Sequence, residues 1–118
     1  MTKEIYIDGG CKPNPGMMRI AICIPEFNLE FTKDDLGKGT ANRAEYLSLI
    51  YALKLVKDRE GSIIFYTDSQ LVWGQMTQGW KVNKNVDLFK EATSLFEPDR
   101  MKIDKIPRNL NEAGKLLE

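Results

Sequence analysis

The 118-residue sequence has no histidine, only two cysteines and no net charge, and each shortage removes a class of function. Without imidazole there can be no Ser-His or Cys-His nucleophile pair, no histidine general base and no histidine-ligated zinc. Cys11 and Cys23 are too few for a disulfide framework, so reduced thiols in a cytoplasmic setting are expected. Seventeen Lys and Arg against seventeen Asp and Glu exclude a strongly basic nucleic-acid binder. Local basic stretches survive that balance: Arg100, Lys102, Lys105 and Arg108 form one, and Lys81, Lys84 and Lys90 another. No apolar run approaches the roughly 20 residues of a membrane span. Met1-Thr2-Lys3-Glu4 leads straight into a strand-like pattern, without the apolar stretch of a signal peptide. Proton transfer or metal binding, if present, must rest on carboxylates.

What remains is a globular composition, 42% hydrophobic and 29% charged, with room for one domain over residues 1–118. Ile5-Tyr6-Ile7 reads as a strand ending at Asp8, before a dense turn through Gly9, Gly10, Pro13, Asn14, Pro15 and Gly16. Met18–Ile24 and Phe27–Phe31 read as two more strands, giving an antiparallel meander. From Ala41 to Lys57 the apolar spacing turns helical, through Ala44, Leu47, Tyr51 and Leu55, widened by Ile50, Leu53 and Val56. Ile63-Ile64-Phe65-Tyr66 is an unbroken apolar run suited to a strand covered on both faces. Helices over Ser69–Met76 and Val86–Phe96, a strand over Met101–Ile106 and a short helix over Asn111–Leu117 complete a β-β-β-α-β-α-α-β-α order. The expected fold class is mixed α/β: a five-stranded sheet, with strands 1-2-3 antiparallel and strands 4 and 5 parallel, and helices on its faces.

In such sheets ligands gather beyond the carboxyl ends of strands. Asp8 and Asp68 both follow strands there, and Glu45 lies in the first turn of the long helix. If the first and fourth strands are parallel neighbours, the three carboxylates share one small region. Each also has a plainer reading: Asp8 as a turn residue, Asp68 as a helix N-cap, and Glu45 as the partner of Asn42 in a capping box.

The surrounding residues favour the shared site. Tyr6-Ile7-Asp8-Gly9-Gly10-Cys11-Lys12-Pro13-Asn14-Pro15-Gly16 resembles the opening segment of type 1 ribonuclease H. Thr40-Ala41-Asn42-Arg43-Ala44-Glu45 is similar to the start of that family's first helix, and Tyr66-Thr67-Asp68-Ser69-Gln70-Leu71-Val72 to its fourth strand and the following turn. The three blocks occur in order and span essentially the whole chain. The resemblance implies a ribonuclease H-like fold and an endonuclease that cuts the RNA strand of RNA–DNA hybrids, giving 5′-phosphate and 3′-hydroxyl ends. It also implies two divalent ions, Mg²⁺ or Mn²⁺, with Asp8, Glu45 and Asp68 as catalytic metal ligands. An all-oxygen carboxylate set suits those hard cations. Gly10, Cys11, Asn14, Asn42 and Gln70 would face the hybrid's minor groove, and Thr40 a phosphate of the DNA strand. Trp73 and Trp80, with Lys81 and Lys84, would form an aromatic and basic ridge, unless core packing takes one of the tryptophans.

Three departures qualify the resemblance. Gly114 stands where the family usually has a fourth acidic ligand, with Asn111 and Glu112 the nearby substitutes, so the second metal site is expected to be weak. No loop histidine precedes the last helix. The segment from Gly79 to Val86 is too short for the basic protrusion of some members. A catalytically weak or silent hybrid-binding module on the same scaffold is the alternative. A monomer is the default expectation, the short terminal helix leaving apolar surface that a second copy could cover.

Overall fold

A computed structural model describes residues 2–118 of the chain. Strand β1 (Lys3–Cys11) alternates buried Ile5 and Ile7 with the more exposed Glu4, Tyr6 and Asp8, so one face meets the core and Asp8 belongs to the other. The strand runs on through Gly9 and Gly10, which the sequence had suggested were turn residues; the turn proper is Lys12–Pro15. Strand β2 (Gly16–Ile24) returns antiparallel, pairing Asp8 with Ala21 and Gly10 with Arg19. A single 3₁₀ turn over Pro25–Phe27 separates it from β3 (Leu29–Lys33), which therefore starts later than the alternation from Phe27 suggested. Proline at the head of the turn and Asn28 in the left-handed region, at φ 51°, account for the reversal.

Helix α1 (Ala41–Leu55) starts at an N-cap, Thr40, whose Oγ1 accepts the Arg43 N–H at 3.2 Å. Its buried stripe is Tyr46, Leu49, Ile50 and Leu53, with Ala44 and Ala52 close to the sheet. The expected stripe through Leu47, Tyr51 and Leu55 is rotated off this face: Leu47 and Tyr51 are half-buried and Leu55 is 47% exposed. Apolar residues occur nearly all round this helix, so spacing alone could not select the face. Strand β5 (Ile63–Thr67), helices α2 (Gln70–Thr77) and α3 (Val86–Leu95), strand β6 (Met101–Lys105) and helix α4 (Glu112–Leu116) follow.

The sheet order is β3-β2-β1-β5-β6, with β1, β5 and β6 mutually parallel and the meander antiparallel, as expected of the mixed class. The strand count is six rather than five, because the two-residue β4 (Lys38–Gly39) pairs with the start of β2. That pairing is too short to leave an alternation in the sequence. The main core lies on the α1 face, where Ile5, Ile7, Ile22, Phe65 and Ile103 meet Tyr46, Leu49, Leu53 and Val72. Full burial of each such side chain is worth about 1.5–3 kcal/mol. The opposite face carries a smaller cluster, Ala21 and Cys23 under Ala113 and Leu117 of the terminal segment. Among the described residues, no helix is long and apolar enough to cross a membrane.

Candidate active site

Parallel pairing of β1 with β5 sets the site. Tyr6 lies opposite Tyr66, the last parallel pair, so two residues further on Asp8, still within β1, and Asp68, just past β5, come side by side on the same face. Ser69, not Asp68, caps α2, its Oγ accepting the Val72 N–H at 3.1 Å. Asp68 is thereby released from the capping role. Likewise Thr40 rather than Asn42 caps α1, and Glu45 takes no part in a capping box. Instead its buried carboxylate reaches over β1, where Oε1 accepts the Gly9 N–H at 2.9 Å.

The approach of α1 that permits this contact depends on Gly9. A Cβ there would lie 2.2 Å from the Ala44 carbonyl oxygen and 2.8 Å from the Glu45 nitrogen. One oxygen from each of Asp8, Glu45 and Asp68 falls within 4.8 Å of the other two, the one such acidic group among the described residues.

Three carboxylates at this spacing disfavour full ionisation. Burial and the Asp68 charge push Asp8 up to about 6, and burial followed by the Asp8 and Asp68 charges holds Glu45 well above the ordinary carboxylate range. The Gly9 N–H and the Arg108 guanidinium oppose both shifts without cancelling them. A hard divalent cation would relieve the repulsion, and the donor set is all oxygen. The residues present therefore fit Mg²⁺ or Mn²⁺.

Asn111 and Glu112 take other positions. Asn111 is fully buried, and its Nδ2 donates to Ile7 O at 2.9 Å and to Asp68 Oδ2 at 3.0 Å, while its Oδ1 accepts the Ala113 N–H and caps α4. Its contact with Asp68 is as a donor that orients the carboxylate. Glu112 pairs with Lys115 and lines a separate hollow with Tyr6 and Cys23. Asn111→Ala leaves Ile7 O and the α4 N-terminus without this partner and should cost about 2 kcal/mol. Thermal unfolding at fixed pH checks this, since a loss below about 0.5 kcal/mol would mean the contacts carry no weight. Gly114 faces Asp8: a Cβ built there lies 3.4 Å from Asp8 Oδ2, so a side chain at this position would enter the cluster.

Two open cavities flank the carboxylates. One, of about 340 Å³, is lined by Asp8, Gly10, Cys11, Asn14, Arg19 and Gly114 among others. The second, of about 460 Å³, includes Asn42, Asp68, Gln70 and Trp80. Cys11 Sγ lies 3.5 Å from both Asn14 Oδ1 and Gly39 O. Asn14 also accepts the Ala41 N–H at 3.1 Å, tying the turn to the start of α1. Trp73 packs against the core, whereas Trp80 is 40% exposed and meets it edge-on, the centroids 6.0 Å apart. Gly74 makes room for that ring, since a Cβ there would fall 2.1 Å from Trp80. Gln75 fixes the loop below by accepting the Tyr46 hydroxyl and donating to Lys81 O. Lys81 and Lys84 are exposed.

Sequence reasoning counted Arg108 only as one member of a basic stretch. It stands beside both cavities, within electrostatic reach of Asp8 and Glu45. Its only sequence signal was a cation shortly before the terminal helix. Arg19 carries no local cue; its pairing with Gly10 across the hairpin brings it to the first cavity.

The family profile described as RNase H matches residues 1–108. The ribonuclease H of Cupriavidus pinatubonensis is 34% identical over 111 residues, covering 82% of this chain and 76% of the relative. The crystal structure of a ribonuclease H1 from the archaeon Halobacterium salinarum superposes with a TM-score of 0.77 at 30% identity, over 99% of this chain and 94% of that one. A second structure, the LC11 ribonuclease H1 in complex with an RNA/DNA hybrid, gives 0.76 at 26% identity, over 98% of this chain and 99% of that one.

Proposed function

The chain belongs to the ribonuclease H family, and on that premise we propose that it is an endonuclease that hydrolyses the RNA strand of RNA–DNA hybrids. The observation that carries the reading is the convergence of Asp8, Glu45 and Asp68 within 4.8 Å, just beyond the last paired residues of the parallel strands β1 and β5. We assign these three residues the binding of divalent metal and, through it, catalysis leaving 5′-phosphate and 3′-hydroxyl ends. When bound, Mg²⁺ or Mn²⁺ supplies positive charge at the scissile phosphodiester, activating a water for in-line attack and stabilising the leaving 3′ oxygen.

The remaining work falls to the chain itself. Gly9 holds Glu45 in place, Asn111 holds Asp68, and Arg108 adds a fixed cation at the mouth where a phosphate strand would pass. Gly10, Cys11 and Asn14 on one side and Asn42 and Gln70 on the other would read the minor groove, where RNA offers its 2′-hydroxyls. Thr40, capping α1 through its Oγ1, would meet a DNA-strand phosphate beside the helix N-terminus. The LC11 relative solved with a hybrid supports that choice of substrate.

The test is cleavage of an end-labelled RNA–DNA hybrid with Mg²⁺ or Mn²⁺, with Asp68→Asn as control. Cleavage by wild type alone is expected. Equal background from both proteins would overturn catalysis and leave a hybrid-binding module, the reading favoured by the missing side chain at Gly114. With that position empty of charge, the second ion should bind weakly. Gly114→Asp should therefore lower the metal concentration for half-maximal cleavage roughly tenfold, in line with the dependence of affinity on ligand charge. A metal titration of the two proteins side by side checks it; identical curves would exclude a role for this position.

A further inference from the structure

We propose that Glu118 supplies to the metal site the acidic ligand that Gly114 lacks, a role that rests on the reading of Asp8, Glu45 and Asp68 as that site. Glu118 and Gly114 line the same cavity as Asp8 and Glu45. They stand four residues apart, Gly114 within α4 and Glu118 just past it, following the C-cap Leu117, whose backbone keeps the right-handed helical conformation. Gly114 leaves open the space toward Asp8 Oδ2 that its own Cβ would have begun to fill. A glutamate one turn further along has the reach to use that space.

The segment after Gly114 is held at the cavity. The Arg19 guanidinium donates to the Leu117 carbonyl, Leu117 itself is buried against Ala21 and Cys23, and its N–H closes a turn onto Gly114 O at 3.2 Å. These contacts anchor the backbone next to Glu118, which is itself exposed. Among the described residues Glu118 forms no ion pair, although Lys12, Arg19 and Arg108 line the same cavity. Its oxygens stand outside the 4.8 Å group of three, so the carboxylate joins by side-chain rotation when a cation arrives.

The experiment measures Mn²⁺-dependent thermal stabilisation of the full chain, without substrate, for wild type, Glu118→Gln, Gly114→Asp and the double variant. Glu118→Gln should raise the Mn²⁺ concentration for half-maximal stabilisation roughly tenfold in the wild-type background. In the Gly114→Asp background the same change should move it less than about twofold, because the position is then already filled. A Glu118→Gln curve that overlies wild type overturns the proposal. So does an equal shift in both backgrounds, which would mark a distant charge rather than a ligand. Asp8→Asn separates this outcome from failure of the underlying reading. If it abolishes stabilisation while Glu118→Gln does nothing, only the Glu118 ligand is lost; if wild type and Asp8→Asn respond alike, the carboxylate site falls and Glu118 with it.

Discussion

Asp8→Asn should abolish hybrid cleavage and, in metal-free buffer at pH 7, melt at a higher temperature than wild type. Loss of activity follows from removing a carboxylate of the central group, and should exceed the roughly 100-fold that partners outside the ligand set are commonly worth. The gain in stability follows from the cluster's electrostatics. The folded protein holds Asp8 up at about 6, against 3.8 for the free side chain, through burial and the Asp68 charge. A carboxyl group raised in this way contributes no penalty below pH 4. It destabilises the fold progressively as pH rises through 6, because the unfolded chain then ionises more readily than the native one. A shift of this size corresponds to at most about 3 kcal/mol at pH 7, or some 10 °C in melting temperature for a domain of this length. Neutral asparagine removes that dependence and also relieves Glu45. Saturating Mg²⁺ or Mn²⁺ should reverse the order, since wild type gains a bound cation and the variant loses a ligand. Melting curves at pH 4.5 and 7, with and without metal, check each part. A variant less stable than wild type at pH 7 without metal would show that the cluster is not strained.

Gly9→Ala should unfold or severely destabilise the protein, whereas Gly10→Ala should leave stability almost unchanged. The alanine Cβ at position 9 would meet backbone atoms of Ala44 and Glu45 at 2.2 to 2.8 Å, so the whole of α1 would have to move off β1. Overpacking of side chains costs about 1–3 kcal/mol, and a rigid helix backbone has less room to yield, so a loss above about 3 kcal/mol is expected. Any protein that still folds would lose the geometry of the Gly9 N–H bond to Glu45 and with it cleavage. At Gly10 a Cβ meets nothing within 4 Å, and the change should stay within about 0.5 kcal/mol. Denaturant titration of the pair provides the comparison. Equal stability for the two variants would contradict the close approach of α1 to β1.

Much of the architecture is legible along the chain because each element carries its own local signal. The Ile63–Tyr66 run, the helical spacing after Ala41 and the punctuation by Pro25, Gly61 and Pro98 locate elements to within a few residues. The failures occur where a tertiary contact overrides a local cue. Gly9 and Gly10 look like a turn, yet they extend β1 because α1 must pass close over Gly9 and β2 must pair beyond Asp8. Leu55 looks like core and is exposed, since the sheet meets α1 along Tyr46, Leu49 and Leu53. The Lys38–Gly39 bridge is too brief to carry any periodicity.

The candidate site divides in the same way. The identities of Asp8, Glu45 and Asp68, the absence of histidine and the missing acid at Gly114 are properties of the amino-acid sequence, and they determine that any metal bound here meets only oxygen. Whether those carboxylates meet is decided by the parallel pairing of β1 with β5, which is a long-range register that no short segment encodes. The same is true of the work given to Asn111, Arg19 and Arg108, whose partners lie far away in the chain. Local propensity is written in neighbouring residues, but the energy that joins distant oxygens and amides exists only once the core has closed around them.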